Sequence, residues 1–285
     1  MQSIALALKG ARATLSAASI ESASLDASLL LSYLTHYTKV QLITNDDELL
    51  DDALLARYNA LIDKRAKGYP VAYILGYKEF WGLKLKVNEH TLIPRPDTET
   101  LVQTALDCKV TGNVLDMGTG SGAIILALKS ELKDNIKAYA CDFSEGAIDV
   151  AKENAQSLKL DVEFIKSDWF SSIDKSIKFS MIVSNPPYIE DNDSHLNASS
   201  LPFEPITALT SGPDGLDDIR IIVSRAKDYL LNGAPLLLEH GYLQGQSVLE
   251  IFKKEGYDKV VTVKDLEGRD RVTLGYNLNS ADHSY

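Results

Sequence analysis

Cysteine is scarce: Cys108 and Cys141 are the only two in 285 residues. That is too few for a disulfide framework and suits a reducing compartment, so the cytoplasm is the expected location. The five histidines and two cysteines fall into no zinc-like spacing, and no metal site is expected. No apolar run approaches the ~20 residues needed to cross a bilayer, and Met1 to Gly10 has no basic stretch ahead of its short apolar one. Neither a membrane span nor a leader is expected. Positive charge is also in deficit. Lysine and arginine number 29 against 40 aspartates and glutamates, a formal net charge of −11. Such a field repels polyanions, which counts against a dedicated nucleic-acid binder without excluding a local basic patch. Internal repeats and low-complexity blocks are missing too.

What is present is an ordinary globular mix, 45% hydrophobic and 24% charged, long enough for one large domain and a smaller companion. From Met1 to about Tyr69 the periodicity is helical. Leu25, Leu29 and Tyr33 share one face with Leu30 and Leu34 beside it, and Leu54, Tyr58 and Leu61 repeat the pattern. Such a stripe predicts core. Gly68 and Pro70 supply a stop. From Val71 to Pro96 aromatic and alternating residues predict a short hairpin connector. Ile93-Pro94-Arg95-Pro96-Asp97-Thr98-Glu99 then opens a helix, with Asp97 or Thr98 as N-cap.

Beyond that point short apolar runs alternate with helical stretches. Strands are predicted at Asn113–Met117, Lys137–Cys141, Val162–Ile165, Phe179–Ser184 and Ala234–Leu238. This is the pattern of a mainly parallel sheet covered on both faces, an α/β fold. Lys259–Lys264 and Arg271–Tyr276, joined through Gly268, predict an antiparallel edge hairpin. The last residues, 279–285, are expected to be disordered.

Chemistry collects where the predicted strands end. The first runs into Asp116-Met117-Gly118-Thr119-Gly120-Ser121-Gly122-Ala123, where glycines let a ligand approach the backbone. Gly118, Gly120 and Ala123 also match the dinucleotide fingerprint, and a merely tight turn is the bland alternative. Asp142 follows the second strand, about 20 residues on, where a carboxylate can accept two ribose hydroxyls. A solvated loop aspartate would look the same. Asp168-Trp169-Phe170 ends the third strand with an acceptor and a flat ring suited to adenine, or simply with a packed tryptophan. Asn185-Pro186-Pro187-Tyr188 follows the fourth. Its prolines fix φ and contribute no donors, so the turn offers a rigid set of carbonyl oxygens beside a ring, a pocket suited to a planar NH2 group.

Taken together these residues resemble the class I S-adenosylmethionine-dependent methyltransferases, in the branch whose Asn-Pro-Pro-Tyr motif alkylates amide or exocyclic amino nitrogens. More narrowly the chain resembles the bacterial release factor glutamine methyltransferases of the HemK/PrmC family. The narrower likeness rests on Ile93 to Glu99, Asp116 to Gly122, Asn185 to Tyr188, Phe203-Glu204-Pro205 with Ala208-Leu209, Asp214-Gly215-Leu216, Leu238-Glu239-His240-Gly241, and Asp265-Leu266 with Gly268, Asp270 and Arg271. Met117 departs from the more usual leucine, a volume-conserving swap.

The resemblance implies a Rossmann-like, mostly parallel seven-stranded sheet with an antiparallel terminal hairpin and an N-terminal helical domain. The implied layout is a substrate-docking domain over 1–70, a β-hairpin linker over 71–96, a methyltransferase domain over 97–278 and a tail over 279–285. It implies S-adenosylmethionine as cofactor, with Gly118, Thr119, Gly120, Ser121 and Gly122 at its methionine end, Asp142 at the ribose, Trp169 at the adenine, and Asn185 touching cofactor and substrate alike. Asn185, Pro186, Pro187 and Tyr188 would hold the substrate amide, with Asn185, Pro186 and Tyr188 catalytic. The implied partners are class I peptide chain release factors, met by a monomer with no direct nucleic-acid or membrane contact. Ile189 to Leu216 is the expected lid or docking loop. Three rival readings stand beside this one: a DNA or RNA adenine-N6 methyltransferase, a nicotinamide-dependent oxidoreductase, and a catalytically idle adaptor.

Overall fold

The computed structural model describes residues 1–197 and 200–278; the tail over 279–285 lies outside the described residues. The chain divides into two compact units, Met1–Tyr77 with His195–Phe203, and Lys78–Ser194 with Glu204–Tyr285.

The first unit is helical. A two-residue strand β1 (Gln2–Ser3) leads into α1 (Ile4–Ala17), α2 (Ala23–Thr35) and α3 (Lys39–Thr44), and β2 (Leu49–Leu50) pairs back with β1 before α4 (Asp52–Ala66) and the short α5 (Val71–Leu75). Starts are set by local chemistry: Ser3 accepts from the Leu6 amide, Asp51 from Leu54, and Thr38 forms a capping box with Gln41. The core gathers Ile4, Leu15, Leu30, Leu31, Leu42, Tyr58 and Ile62. Here α2 departs from the predicted face. Leu25, Leu29 and Tyr33 are exposed, while Ala23, Asp26, Ala27, Leu30 and Leu31 turn inward. The cause is polar: Asp26 meets Arg65 at 2.8 Å in the interior, and the Ala27 carbonyl accepts the buried Tyr58 hydroxyl. Pro70 also does not end the helical stretch; it begins α5, and the hairpin is confined to β3 (Tyr77–Phe80) and β4 (Leu83–Lys86).

In the second unit α6 (Glu99–Asp107) precedes an alternating series: β5 (Gly112–Met117), α7 (Ala123–Leu132), β6 (Ile136–Asp142), α8 (Glu145–Leu158), β7 (Val162–Lys166), β8 (Met181–Ser184), α9 (Asp217–Ala226), β9 (Pro235–Glu239), α10 (Gly245–Lys254), β10 (Asp258–Lys264) and β11 (Asp270–Tyr276). The sheet order is β10-β11-β9-β8-β5-β6-β7, parallel except for β11, which runs antiparallel to both β9 and β10. β5, β8 and β9 are buried along both faces, which is why they read as unbroken apolar runs. One face packs on α6 and α7 through Leu101, Val102, Ile125 and Leu128, the other on α9 and α10 through Ile222, Val223, Val248 and Phe252. Succession leaves β5 to one side for β6 and returns on the other side at β8, so the carboxyl ends of β5 and β8 border the switch point where open α/β sheets leave a crevice.

Candidate active site

At that crevice lies a cavity of about 420 Å³, within the range of small-molecule sites. Gly118 and Gly120 from the turn after β5, Asp142 after β6, Asp168 and Trp169 after β7, and Asn185 and Pro187 after β8 all line it. Four predicted strand ends thus converge on one space. Gly118 and Gly120 have φ of +68° and +54°, conformations that L side chains rarely adopt. A Cβ on Gly120 would meet nothing within 4 Å, whereas one on Gly118 would come within 3.5 Å of the Trp169 ring. Thr119, Ser121 and Gly122 belong to the same turn but do not line the cavity. Thr119 and Ser121 are buried, Thr119 donating to Asp116 at 2.6 Å, and Gly122 caps α7 against Leu126. The turn is clamped from behind by Asn154, whose Nδ2 donates to the Ser121 carbonyl at 2.9 Å.

Asp142 holds the turn from the front. Its Oδ2 accepts the Gly120 amide at 2.9 Å and its Oδ1 the Ser144 amide at 2.8 Å. Burial raises its carboxyl above the ordinary value, and these backbone N–H groups pull the other way. Asp116 is wholly buried beneath the turn, pushed up to about 7 by desolvation, with Oδ1 unpartnered. Trp169 sits at φ +45° and donates its indole N–H to Asp218 at 2.9 Å, which fixes the ring at the cavity wall.

The Asn-Pro-Pro-Tyr turn is held at both ends. Asn185 Nδ2 donates to Thr98 Oγ1 at 3.2 Å, and no described residue donates to Asn185 Oδ1. Tyr188 does not line the cavity. Its hydroxyl donates to buried Glu239 at 3.2 Å and its carbonyl accepts from Gln244 Nε2 at 3.0 Å. Gly215, at φ +69°, presses on that same carbonyl so closely that a Cβ would stand 2.3 Å from the oxygen. Thr98 and Asp97, expected as caps, cap nothing: a 3-10 turn over Pro96–Thr98 starts α6, Thr98 serves Asn185, and Asp97 reaches Arg271 at 3.3 Å. Arg95 pairs with buried Glu204, which also accepts the Ile93 amide. Pro205, Thr207 and Ala208 continue from Glu204 into the cavity wall, so part of the Ile189–Leu216 segment forms the site.

The lining carries Glu89, Asp142, Asp168 and Asp218 but no lysine or arginine. A dinucleotide pyrophosphate would meet four carboxylates there, whereas a cation is drawn in.

A model of the PrmC N-terminal domain matches residues 7–76, and one of the methyltransferase small domain matches residues 96–204. The release factor glutamine methyltransferase of Vibrio cholerae is 46% identical over 275 residues, covering 95% of this chain and 96% of the relative. That of Escherichia coli is 41% identical over 262 residues, covering 90% and 92%. The chain belongs to the release factor glutamine methyltransferase family. Among solved structures, the hMettl16 catalytic domain in complex with MAT2A 3'UTR hairpin 1 gives a TM-score of 0.59 at 17% identity, covering 90% of this chain and 92% of that one. A methyltransferase from Pyrococcus furiosus gives 0.52 at 20%, covering 79% and 98%. At such identities these two speak for the fold alone.

S-adenosylmethionine is the cofactor of this methyltransferase class, and the residues present fit it. The glycine cradle leaves room beside the backbone, the lining is acidic as a sulfonium and an ammonium require, and a flat indole and a buried carboxylate stand where a nucleoside needs them. Sequence reading missed the supports: Thr98, Glu239, Gln244 and Asp218 each hold a motif residue. Only Glu239 and Thr98 lay inside segments already singled out for the family likeness. No helix among the described residues is long and apolar enough to cross a membrane, and none of their His, Cys, Asp and Glu side chains form a metal-holding group.

Proposed function

We propose that this chain methylates the side-chain amide N5 of the glutamine in the Gly-Gly-Gln loop of class I peptide chain release factors. The observation carrying this reading is the Asn185 amide, committed to Thr98 through its NH2 and left with a free carbonyl oxygen beside an acidic cavity.

When bound, S-adenosylmethionine supplies an electrophilic sulfonium methyl. Asp142 receives the ribose hydroxyls, Trp169 lies against the adenine, and the turn from Gly118 to Gly122 takes the methionine end. The carboxylates of the wall favour a cationic cofactor over an anionic one. Asn185 Oδ1 and the Pro186 carbonyl accept the two N–H bonds of the substrate carboxamide. A carboxamide nitrogen is a poor nucleophile because its lone pair is delocalised, to the extent measured by the ~18–20 kcal/mol barrier to rotation. Two fixed acceptors turn that lone pair toward the methyl and stabilise positive charge as it grows on nitrogen, so they act on the transition state more than on the ground state. Orientation of this kind supplies up to about 7–11 kcal/mol. Pro187 closes the wall, and Tyr188 braces the turn from behind. The proton released on alkylation passes to water, since an alkylated amide is strongly acidic.

The helical first unit serves as the docking module, supported by Leu25, Leu29 and Tyr33, which stand exposed along one side of α2. The chain acts as a monomer in the cytoplasm, a setting supported by its two free thiols. The test is incubation with isotopically labelled S-adenosylmethionine, a release factor and a nucleic-acid duplex, followed by mass spectrometry. One methyl on the Gly-Gly-Gln glutamine is expected; label on the duplex alone would overturn the reading.

A further inference from the structure

Behind the Asn-Pro-Pro-Tyr turn lies a carboxylate that the mechanism above leaves unused. Glu239 ends β9, the strand beside β8, and is fully buried. Its Oε1 accepts the Tyr188 hydroxyl, while its Oε2 has no hydrogen-bond partner among the described residues. The Thr98 hydroxyl acts on the same carboxyl and favours its charged form. Thr98 is also the acceptor of the Asn185 NH2. Both ends of the four-residue turn therefore lead to one group, Tyr188 directly and Asn185 through Thr98.

The direction of the hydrogen bonds along that chain has chemical consequences. An ionised carboxylate only accepts, and a threonine hydroxyl has one hydrogen to give. Once that hydrogen faces Glu239, Thr98 has only lone pairs left for Asn185. Asn185 must then turn its NH2 inward and keep Oδ1 for whatever enters the cavity. If Glu239 were neutral it could donate to Thr98, whose hydrogen would be free for Asn185 Oδ1. The amide would turn over and meet a substrate NH2 with its own NH2.

We propose that Glu239 is a positioning residue which, through Thr98, sets the donor–acceptor polarity of the Asn185 amide, so that the ionised form arms the turn and the neutral form disarms it. The inference rests on the amide-nitrogen reading above and deepens it.

The groups facing Glu239 suit this role. Tyr188 is held protonated by burial and by the adjacent negative charge, so it can only donate. Arg271 from β11 favours the charged form, and Asp97 before α6 opposes it. Arg271 is itself shared between Asp97 and Asp265, at 3.3 and 3.1 Å. His240, next in the chain, is pushed down by burial and stays neutral above its ordinary range. Desolvation outweighs the favourable contacts and raises Glu239 to about 7. Its charge thus changes within the range where the enzyme can be assayed, and the sign is fixed: activity rises as pH climbs through that value.

The test uses the full chain as wild type, Glu239→Gln and Thr98→Val, with S-adenosylmethionine and a release factor. Wild-type kcat is expected to climb with pH up to about 7 and then level. Both variants are expected to lose about tenfold or more in kcat at pH 8 and to give flat profiles between pH 6 and 8, while calorimetric Kd for S-adenosylmethionine stays within about threefold. In 15N-labelled wild type the Asn185 side-chain amide, assigned by its loss in Asn185→Asp, should shift with the same midpoint. Wild-type kcat or slope retained in the variants overturns the proposal and spares the amide reading. If the variants do not fold, a flat wild-type profile overturns it and a rising one with a moving Asn185 signal supports it. A wild type that binds S-adenosylmethionine yet leaves the release factor unmodified overturns the amide reading, and this inference falls with it.

Discussion

Replacing Asp142 by asparagine separates cofactor binding from chemistry. A carboxylate has about four lone-pair sites. In Asp142 one on each oxygen is occupied, by the Gly120 and Ser144 amides at 2.9 and 2.8 Å, which leaves one on each for the two ribose hydroxyls. The substituted side chain would keep a single oxygen and set an NH2 against a backbone N–H, so at least one charge-assisted bond to the ribose is lost. Bonds to charged groups contribute about 1.5–3 kcal/mol. With RT near 0.59 kcal/mol this predicts a Kd for S-adenosylmethionine about 10- to 160-fold weaker. The carboxylate touches the ribose and not the reacting atoms, so kcat at saturating cofactor should fall by less than about threefold. Calorimetry gives the first number and steady-state methylation of a release factor the second. An unchanged Kd, or a kcat that collapses while Kd holds, would refute the assignment of Asp142 to the ribose.

Asn185→Ala removes one of the two proposed acceptors and should cut kcat by about 10²- to 10³-fold with cofactor Kd nearly unchanged; full turnover in that variant would reject its role. Gly215→Ala places a Cβ 2.3 Å from the Tyr188 carbonyl at a φ of +69°, so it should displace the turn and lower kcat by more than about tenfold. Gly10→Ala, in α1 with nothing within 4 Å, should instead stabilise by about 0.5–1 kcal/mol in urea unfolding, and equal behaviour of the two would contradict the steric argument. Arg65→Met strands the buried Asp26 carboxylate and should destabilise the helical unit by about 3–5 kcal/mol, with Asp26→Leu added on top recovering most of the loss in chemical denaturation; a double variant no better than the single would show that the pair is not coupled.

The strands were legible because both of their faces are covered: Val114 to Met117, Met181 to Ser184 and Leu236 to Leu238 are buried without interruption, and each run ends in a residue that cannot continue it. The helical faces were less so. α2 carries leucines on every side, so spacing alone could not choose between Leu25-Leu29-Tyr33 and Leu30-Leu31. What chose was Asp26, drawn inward by Arg65 from 39 positions away. The ligand-facing residues were readable for the reason the strands were. Each follows its strand directly, and Gly120, Asp142, Trp169 and Asn185 need only their own strand end to reach the crevice.

Their supports were not readable, because each comes from another element: Thr98 stands 87 positions from Asn185, Glu239 51 from Tyr188, Gln244 56 from Tyr188, and Asp218 49 from Trp169. Thr98 makes the point most sharply. A threonine ahead of an amphipathic helix is expected to cap it, and here its hydroxyl leaves the α6 backbone without that bond to serve Asn185 instead. A local preference that a sequence visibly satisfies and a structure declines marks a residue held by a stronger partner. In this chain that partner is the amide on which the proposed chemistry depends, and the carboxylate behind it decides which way that amide faces.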